Sequence, residues 1–380
     1  MQIHINKQRG TDVPKKRTAI VIYSPHSGRS AELPEALEYL KQADIAIAEV
    51  LPITQLDGLP PQGSLWQERG INLAIAAGGD GLIGGMINHI AESSLPLGIL
   101  PLGTSNDIAR SINIPQDLQQ AVEVIKQGRT VAIDIGIAEP AEQAPHQTSR
   151  QRKSKQTPAQ LHSHGFFAHT LIVGLNVQFA RLATNVATRQ RYGRLTYPMA
   201  ALEVLLNHEP LELDVRIEEL LLPPQHKSIA SEKQEEPTIV KESVVFHSRA
   251  LQIAVINAPI FGGKWNIALP NASINDHLLD IVIVDAIELP SLIAAFGHLF
   301  NTETVSVTSG KAGYTQQSLL EAADLTGIPG VHHFQAHRVA ISTGNDPEDV
   351  TLDGEIRGHT PTHVQMADIA LKVIVPNKKA

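Results

Sequence analysis

The segment INLAIAAGGDGLIGGMINHI joins an apolar run, a tight Gly78-Gly79-Asp80-Gly81 turn and an apolar stretch with helical spacing. Glycines let a backbone come close to phosphate oxygens, and a helix N-terminus turns free N–H groups and positive dipole charge toward an anion. A nucleotide phosphate suits such a loop. An ordinary Gly-rich strand-to-helix turn reads the same way, so the neighbouring segments must decide. AIVIYSPHSGRSAEL places Ser24, Ser27 and Gly28 behind the first apolar run. LGILPLGTSNDIARSINIP places Thr104, Ser105 and Asn106 before a helical stretch with Asp107 and Arg110. Each alone reads as a helix cap. Three such loops within one α/β unit favour a phosphate pocket.

Far downstream, Asp353-Gly354 offers a carboxylate at a turn with room for two large substrates, and Glu355 could orient the site or hold a metal. Moving a γ-phosphoryl group to an alcohol needs a carboxylate within reach of the hydroxyl, charge neutralisation at the phosphates and in-line positioning. Taken alone, Asp-Gly is a hairpin signal and Asp276 a turn aspartate.

The elements that must carry these residues follow from the hydrophobic pattern. Arg17 to Tyr23, Asp44 to Leu51, Ile71 to Ala76, Leu97 to Leu100 and Val131 to Ile137 read as strands. Ala31 to Lys41, Leu82 to Glu92, Asn106 to Ile112 and Leu118 to Gln127 read as helices between them. The alternation predicts an α/β domain over 1–137 with a mostly parallel sheet and ligands beyond the carboxyl ends of its strands. Residues 138–380 read as a second, largely antiparallel domain, with strands at Phe166 to Leu175, Leu211 to Leu221, Val244 to Asn257 and Leu279 to Ala286. Further strands are read at Arg338 to Thr343, Val350 to Glu355 and Ala367 to Val375, the last ones returning to the first domain. Helical patterns fall at Gln178 to Arg191 and Leu195 to Asn207. Polar stretches near 138–165 and 223–243 read as solvated insertions.

With 380 residues, 42% of them hydrophobic, the chain can bury two cores. A formal charge of −8 argues against a surface adapted to nucleic acid, and the absence of cysteine excludes disulfides, thiolate metal sites and a cysteine nucleophile. The polar N-terminus has no secretory apolar centre. The apolar stretch from Leu278 to Phe300 is interrupted by Asp280, Asp285, Glu288 and Pro290, so membrane contact is expected to be peripheral.

Ser24-Pro25-His26-Ser27-Gly28, the GGDG loop and Gly103-Thr104-Ser105-Asn106-Asp107 resemble, in order and spacing, the nucleotide-binding loops of the diacylglycerol kinase catalytic domain, including the soluble bacterial lipid kinases. Phe261-Gly262-Gly263, the run Pro270-Asn271-Ala272-Ser273-Ile274-Asn275-Asp276, and Leu352-Asp353-Gly354-Glu355 look like that family's second-domain signatures. The resemblance covers nearly the whole chain outside the insertions and the stretch from Lys311 to Ala336. It implies an N-terminal α/β domain of the phosphofructokinase and NAD kinase kind, an ATP site between the domains, and a C-terminal β-sandwich carrying the lipid site.

The resemblance also assigns roles. Asp353 matches the general base, and Asp276 with backbone carbonyls of Ser273 and Leu278 matches a structural Mg²⁺ site. Thr54 falls at a nucleotide-contacting threonine, and Ser24, Pro25, His26, Ser27, Gly28, Gly78, Gly79, Asp80, Gly81, Thr104, Asn106 and Glu355 fall at the nucleotide positions. The implied protein is a cytoplasmic kinase using ATP and Mg²⁺, acting on a lipid alcohol at the inner face of a membrane; a homodimer is compatible with it. The chain departs from the pattern at Ser24 (usually Asn), Leu82 (Thr), Gly85 (Glu) and His277 (Gly). Other readings are an NAD kinase-like or sphingoid-base kinase activity and, because Leu82 and Gly85 lack the usual polar groups, a weakened nucleotide or lipid sensor. The Asp276 and Asp353 segments favour a lipid kinase over an NAD kinase.

Two weaker signals remain. Between Gln143 and Leu202 there is no acidic residue, while eight Arg and Lys fall there, a pattern fitting either an anionic membrane surface, at about 1 kcal/mol per basic residue, or a solvated basic helix. His333 and His337 have helical i, i+4 spacing, but no accompanying Glu suggests metal chemistry, and surface or core histidines are expected.

Overall fold

The computed structural model describes residues 17–141, 165–175, 209–223, 237–261, 267–269, 271–286, 316–326, 329–344 and 346–377. The two expected helices between Gln178 and Asn207, the Gly262-Gly263 pair and most of both polar insertions lie outside them.

The first domain is built on a six-stranded sheet. Its strands are β1 (Arg17–Tyr23), β2 (Ile45–Pro52), β3 (Leu73–Gly78), β4 (Leu97–Pro101), β5 (Thr130–Ile133) and, from the far end of the chain, β19 (Leu371–Ile374), in the order β2-β1-β3-β4-β19-β5. The pairs from β2 to β19 are parallel, and β5 alone runs antiparallel to its neighbour. β3 and β4 are buried at every residue, which is why LAIAAG and LGILP are continuous apolar runs without alternation. The helices covering this sheet include α1 (Leu33–Gln42), α2 (Gly63–Glu68), α3 (Asp80–Ile90), α4 (Asp107–Ser111) and α5 (Leu118–Gln127). α5 shows how local sequence sets such an element. Asp117 caps its N-terminus by accepting Gln120 N–H at 2.9 Å, and Gly128 ends it in a left-handed turn at φ 71°.

The second domain is a β-sandwich of eleven paired strands. β6 (Gly136–Pro140), β7 (Gly165–Phe167) and β8 (Thr170–Gly174) precede the long β9 (Leu211–Leu222), the short β10 (Thr238–Val240) and the long β11 (Val244–Ile256). After a small hairpin, β12 (Ile260–Phe261) with β13 (Ile267–Ala268), come β14 (Leu279–Asp285), helix α6 (Gln316–Ala323), β15 (Val331–Thr343), β16 (Asp349–Leu352), β17 (Glu355–His359) and β18 (Thr362–Met366). β11 pairs β9 over Val244–Ala250 and β8 and β14 over its second half, while β15 pairs β14 first and then β9 and β18. The pairings β9-β11-β14-β15-β9 therefore close on themselves around a core of Leu213, Val215, Ile253, Ile281 and Phe334.

Several sequence boundaries move. Val131 to Ile137 divides into β5 and β6, because the chain leaves one sheet for the other at Asp134-Ile135. Ala138 to Pro140 and Thr238 to Val240 are paired strands rather than insertion. Val350 to Glu355 is the β16-β17 hairpin, with Asp353-Gly354 as its turn, and α2, α6 and β18 have no counterpart in the sequence reading. His333 and His337 sit on strand β15, not on a helix. His333 is a core residue bonded to Asp280 Oδ1 at 2.7 Å.

Candidate functional site

The loops behind β1, β3 and β4 meet at the carboxyl edge of the first sheet. A Cβ on Gly79 would lie 3.0 Å from Gly103 Cα, and one on Gly103 would lie 2.4 Å from Gly79 Cα, so the two backbones touch. Gly28 comes equally close to Thr104, with Oγ1 at 2.8 Å from a Cβ placed there. Three glycines, at 28, 79 and 103, therefore set the distance between loops. Ser24 continues β1 with its N–H on Ala77 O, Ser27 N–H closes a turn onto Ser24 O, and Pro25 and His26 are exposed.

The loop side chains divide into two kinds. Asp80 spends both carboxylate oxygens on the start of α4, accepting Asp107 N–H at 3.0 Å and Ile108 N–H at 2.9 Å. Asn106, buried and at φ 54°, accepts Gly103 N–H and donates to Pro101 O, Gly103 O and Gln116 Oε1. Both shape the loop from inside. Thr104 and Thr54 are exposed, and Ile53, beside Thr54, lies 3.4 Å from where a Gly85 Cβ would stand. The start of α3, at Gly79, has no side-chain cap, so its first N–H groups face the loop cluster. Leu82 lies against Gly78 and is buried, so this departure from threonine serves packing.

The second domain brings a carboxylate to α3. Asp353, at φ 50° and 4% exposed, turns inward from the β16-β17 hairpin. Its Oδ1 accepts His169 N–H at 2.9 Å and Thr170 N–H at 3.0 Å; its Oδ2 accepts Ala168 N–H at 3.0 Å. Burial pushes this carboxyl up from the usual aspartate range, against the opposing pull of those N–H groups and His169. The helix touches the acid through a glycine: a Cβ on Gly84 would stand 2.5 Å from Asp353 Oδ2 and 2.7 Å from its Cβ. One turn earlier, Gly81 faces Asp353 O and Glu355 Oε1 at 3.4 and 3.6 Å, measured from its own notional Cβ. The Gly-rich loop and Asp353-Gly354-Glu355, distant in sequence, thus form one wall.

The expected metal loop lies at another part of the same domain boundary. Asp276 accepts Leu278 N–H, Ser273 Oγ donates to Asn275 Oδ1, and His277 N–H donates to Asp134 Oδ2 at 2.7 Å. His277 stands at φ 61°, a conformation glycine adopts without strain and a histidine only at a cost, so nothing in the backbone explains that departure. Desolvation, then the charge of Asp280 and of Asp134, pushes the Asp276 carboxyl up to about 7. Asn257 bridges the two carboxylate sites, with Nδ2 donating to Asp134 O and to Ala168 O, the residue whose N–H holds Asp353.

Gly84, Asn257 and the backbone of 168–170 did not figure in the sequence reading. Gly84 had a signal, since a glycine inside a helix costs about 1 kcal/mol and implies a close contact. The others are set by long-range register and leave no local trace.

A parallel α/β domain thus sets its Gly-rich loop and the helix after it against a buried carboxylate supplied by a β-sandwich. Residues 18–138 match the model of the diacylglycerol kinase catalytic domain, and residues 170–312 match that of the YegS C-terminal NAD kinase beta sandwich-like domain. The chain belongs to the diacylglycerol kinase catalytic domain family and is an enzyme of the lipid kinase class. It is similar to a diacylglycerol kinase of Staphylococcus saprophyticus, 23% identical over 367 residues, covering 95% of this chain and 96% of that protein. A Staphylococcus aureus diacylglycerol kinase is 33% identical over 126 residues, which is 32% of this chain and 40% of that protein. The crystal structure of a Bacillus anthracis diacylglycerol kinase shares the fold, with a TM-score of 0.58 at 19% identity over 96% of this chain and 99% of that one. Among the described residues no helix is long and apolar enough to cross a membrane.

Proposed function

We propose that this protein transfers the γ-phosphoryl group of MgATP to the hydroxyl of diacylglycerol or a related lipid alcohol. The observation that carries the reading is the contact of Gly84 with Asp353, which fixes a buried carboxylate one turn from the start of the phosphate-loop helix. The uncapped N–H groups of α3, with Thr104, Ser27 and Thr54 around them, bind the phosphates. Asp353 Oδ2, which accepts one N–H where Oδ1 accepts two, keeps one lone pair to take the proton from the acceptor hydroxyl. The raised affinity of this carboxyl for a proton suits a general base, and its three N–H donors hold it in one orientation.

The metal loop fits a hard cation. Asp276 with the carbonyls of Ser273 and Leu278 that the resemblance assigns would make an all-oxygen donor set, and a cation there would relieve the burial and the neighbouring charge that lift Asp276. Asp280 Oδ2, fully buried and without a hydrogen-bond partner among the described residues, adds to the acidic character nearby, its Oδ1 being held by His333 and Gln335. Bound there, Mg²⁺ supplies charge neutralisation that keeps the β13-β14 turn in place.

Radiolabelled ATP offered to a panel of lipid alcohols tests the reading. Label is expected in a lipid product, and Asp353→Asn is expected to lower kcat by about 10²–10⁴-fold with little change in KM. Equal transfer by the variant removes Asp353 from its role. Nucleotide binding without transfer to any lipid favours the sensor reading, for which Leu82 and Gly85 on α3 are the motive.

A further inference from the structure

We infer that Arg357 is a phosphate-binding residue of this cleft, its guanidinium passing close over Gly85 to reach the terminal phosphates. The inference rests on the nucleotide reading of the site. Phosphoryl transfer needs positive charge at the transferred group, and the loops 24–28, 78–81 and 103–106 contain no Lys or Arg. The arginines beside those loops bond to other protein groups, Arg110 through its Nε alone. Arg29 pairs with Glu32 and donates to Pro101 O and Gln116 O, and Arg110 donates to Ser105 O.

Arg357 is placed differently. Arg357 is the extra residue at a bulge in β17, and its side chain turns toward Glu355, so the hairpin that delivers Asp353 to α3 delivers a guanidinium one step further along the same helix. Its Nη2 lies 3.7 Å from where a Cβ on Gly85 would stand, beside Ile53 and hence beside the Thr54 turn. Gly81, Gly84 and Gly85 thus face Glu355, Asp353 and Arg357 respectively. Among the described residues the only hydrogen bond of Arg357 runs to Glu355 Oε2 at 3.3 Å, and its side chain is 35% exposed, so most of its five N–H donors remain available. A planar guanidinium in that position can grip a phosphate with two parallel bonds. A glutamate at position 85 would aim a carboxylate at it; glycine does not.

Calorimetric titration of MgATP and of AMP into the full chain tests the assignment. Arg357→Gln is expected to weaken MgATP about tenfold or more and leave AMP unchanged, and Arg357→Lys to retain part of the ATP preference. Gly85→Glu, which leaves the hairpin unmutated, is expected to cause the same selective loss. Unchanged MgATP affinity in Arg357→Gln overturns the assignment, as does an equal loss for ATP and AMP, which would mean that Arg357 acts only by holding Glu355. Failure of the wild-type chain to bind MgATP overturns the nucleotide reading itself, a separate result.

Discussion

Asp80 sits in the middle of the Gly-rich loop, yet both its oxygens bind N–H groups of Asp107 and Ile108 at the start of α4. Its charge therefore stabilises a helix N-terminus and ties the β3 loop to the β4 loop. Asp80→Asn turns one acceptor into a donor facing an N–H, and is expected to cost about 1–2 kcal/mol in urea denaturation while weakening nucleotide binding only through loop movement. A large loss of affinity at unchanged stability would instead mean direct contact with the ligand. Asn106 follows the same logic, being saturated by its own loop and by Gln116. Residue types and spacing assigned both to one loop cluster, and both lie in it. Whether each side chain points toward the ligand or into the loop depends on partners up to 28 positions away, as for Asp80 and Ile108, which no local pattern encodes.

At the level of elements, α3 against the β16-β17 hairpin is the joint on which the site depends. Gly84→Ala would raise helix propensity by about 1 kcal/mol, but its methyl group meets an acid pinned by three N–H bonds. The expected result is a net loss of about 1–3 kcal/mol by thermal denaturation, together with loss of activity. Gly85→Ala is the control, since its Cβ meets Ile53 and Arg357 at ordinary contact distances and the variant should keep or gain stability. Equal behaviour of the two alanines would sink this account of the joint. The parallel strands were legible because burial on both faces makes them uniformly apolar. At Asp353-Gly354 the hairpin signal was legible, but not where it divides the run Val350 to Glu355, because Leu352 and Glu355 on either side keep strand spacing and only the left-handed Asp353 turns the chain. The division of Val131 to Ile137 was invisible for a related reason: its two halves keep strand composition while their partners change from β19 to β18.

Across the whole molecule, two cores are joined by crossings of the chain at Asp134 and again where β18 leads into β19, so each sheet holds a strand from the C-terminal end of the chain between strands from earlier in it. Far from that joint, His332 on β15 binds Asp324 Oδ2 at 2.9 Å and Asp285 Oδ2 at 3.0 Å, with Phe246 edge-on to its ring. The clamp ties the end of β14 to the residue following α6 and so fixes that helix on the sandwich. Burial alone would lower the His332 pKa, but the hydrogen bonds and charges of Asp285 and Asp324 outweigh it and raise it from 6.5 to about 9. The same contacts hold both aspartates below the usual range despite their burial. Because the folded pKa of the histidine lies above its unfolded value, its contribution is complete below about 6.5 and is lost as pH climbs through about 9. For the aspartates the sign is opposite, and their contribution is lost as pH falls through their lowered values. His332→Gln, which removes the cation but leaves a polar side chain, is therefore expected to cost roughly 1–3 kcal/mol below about pH 6.5 and progressively less as pH rises from there to about 9, read as the difference between wild-type and variant denaturation midpoints. A difference that stays constant from pH 6 to pH 10 would show that packing against Phe246, and not charge, holds α6 in place.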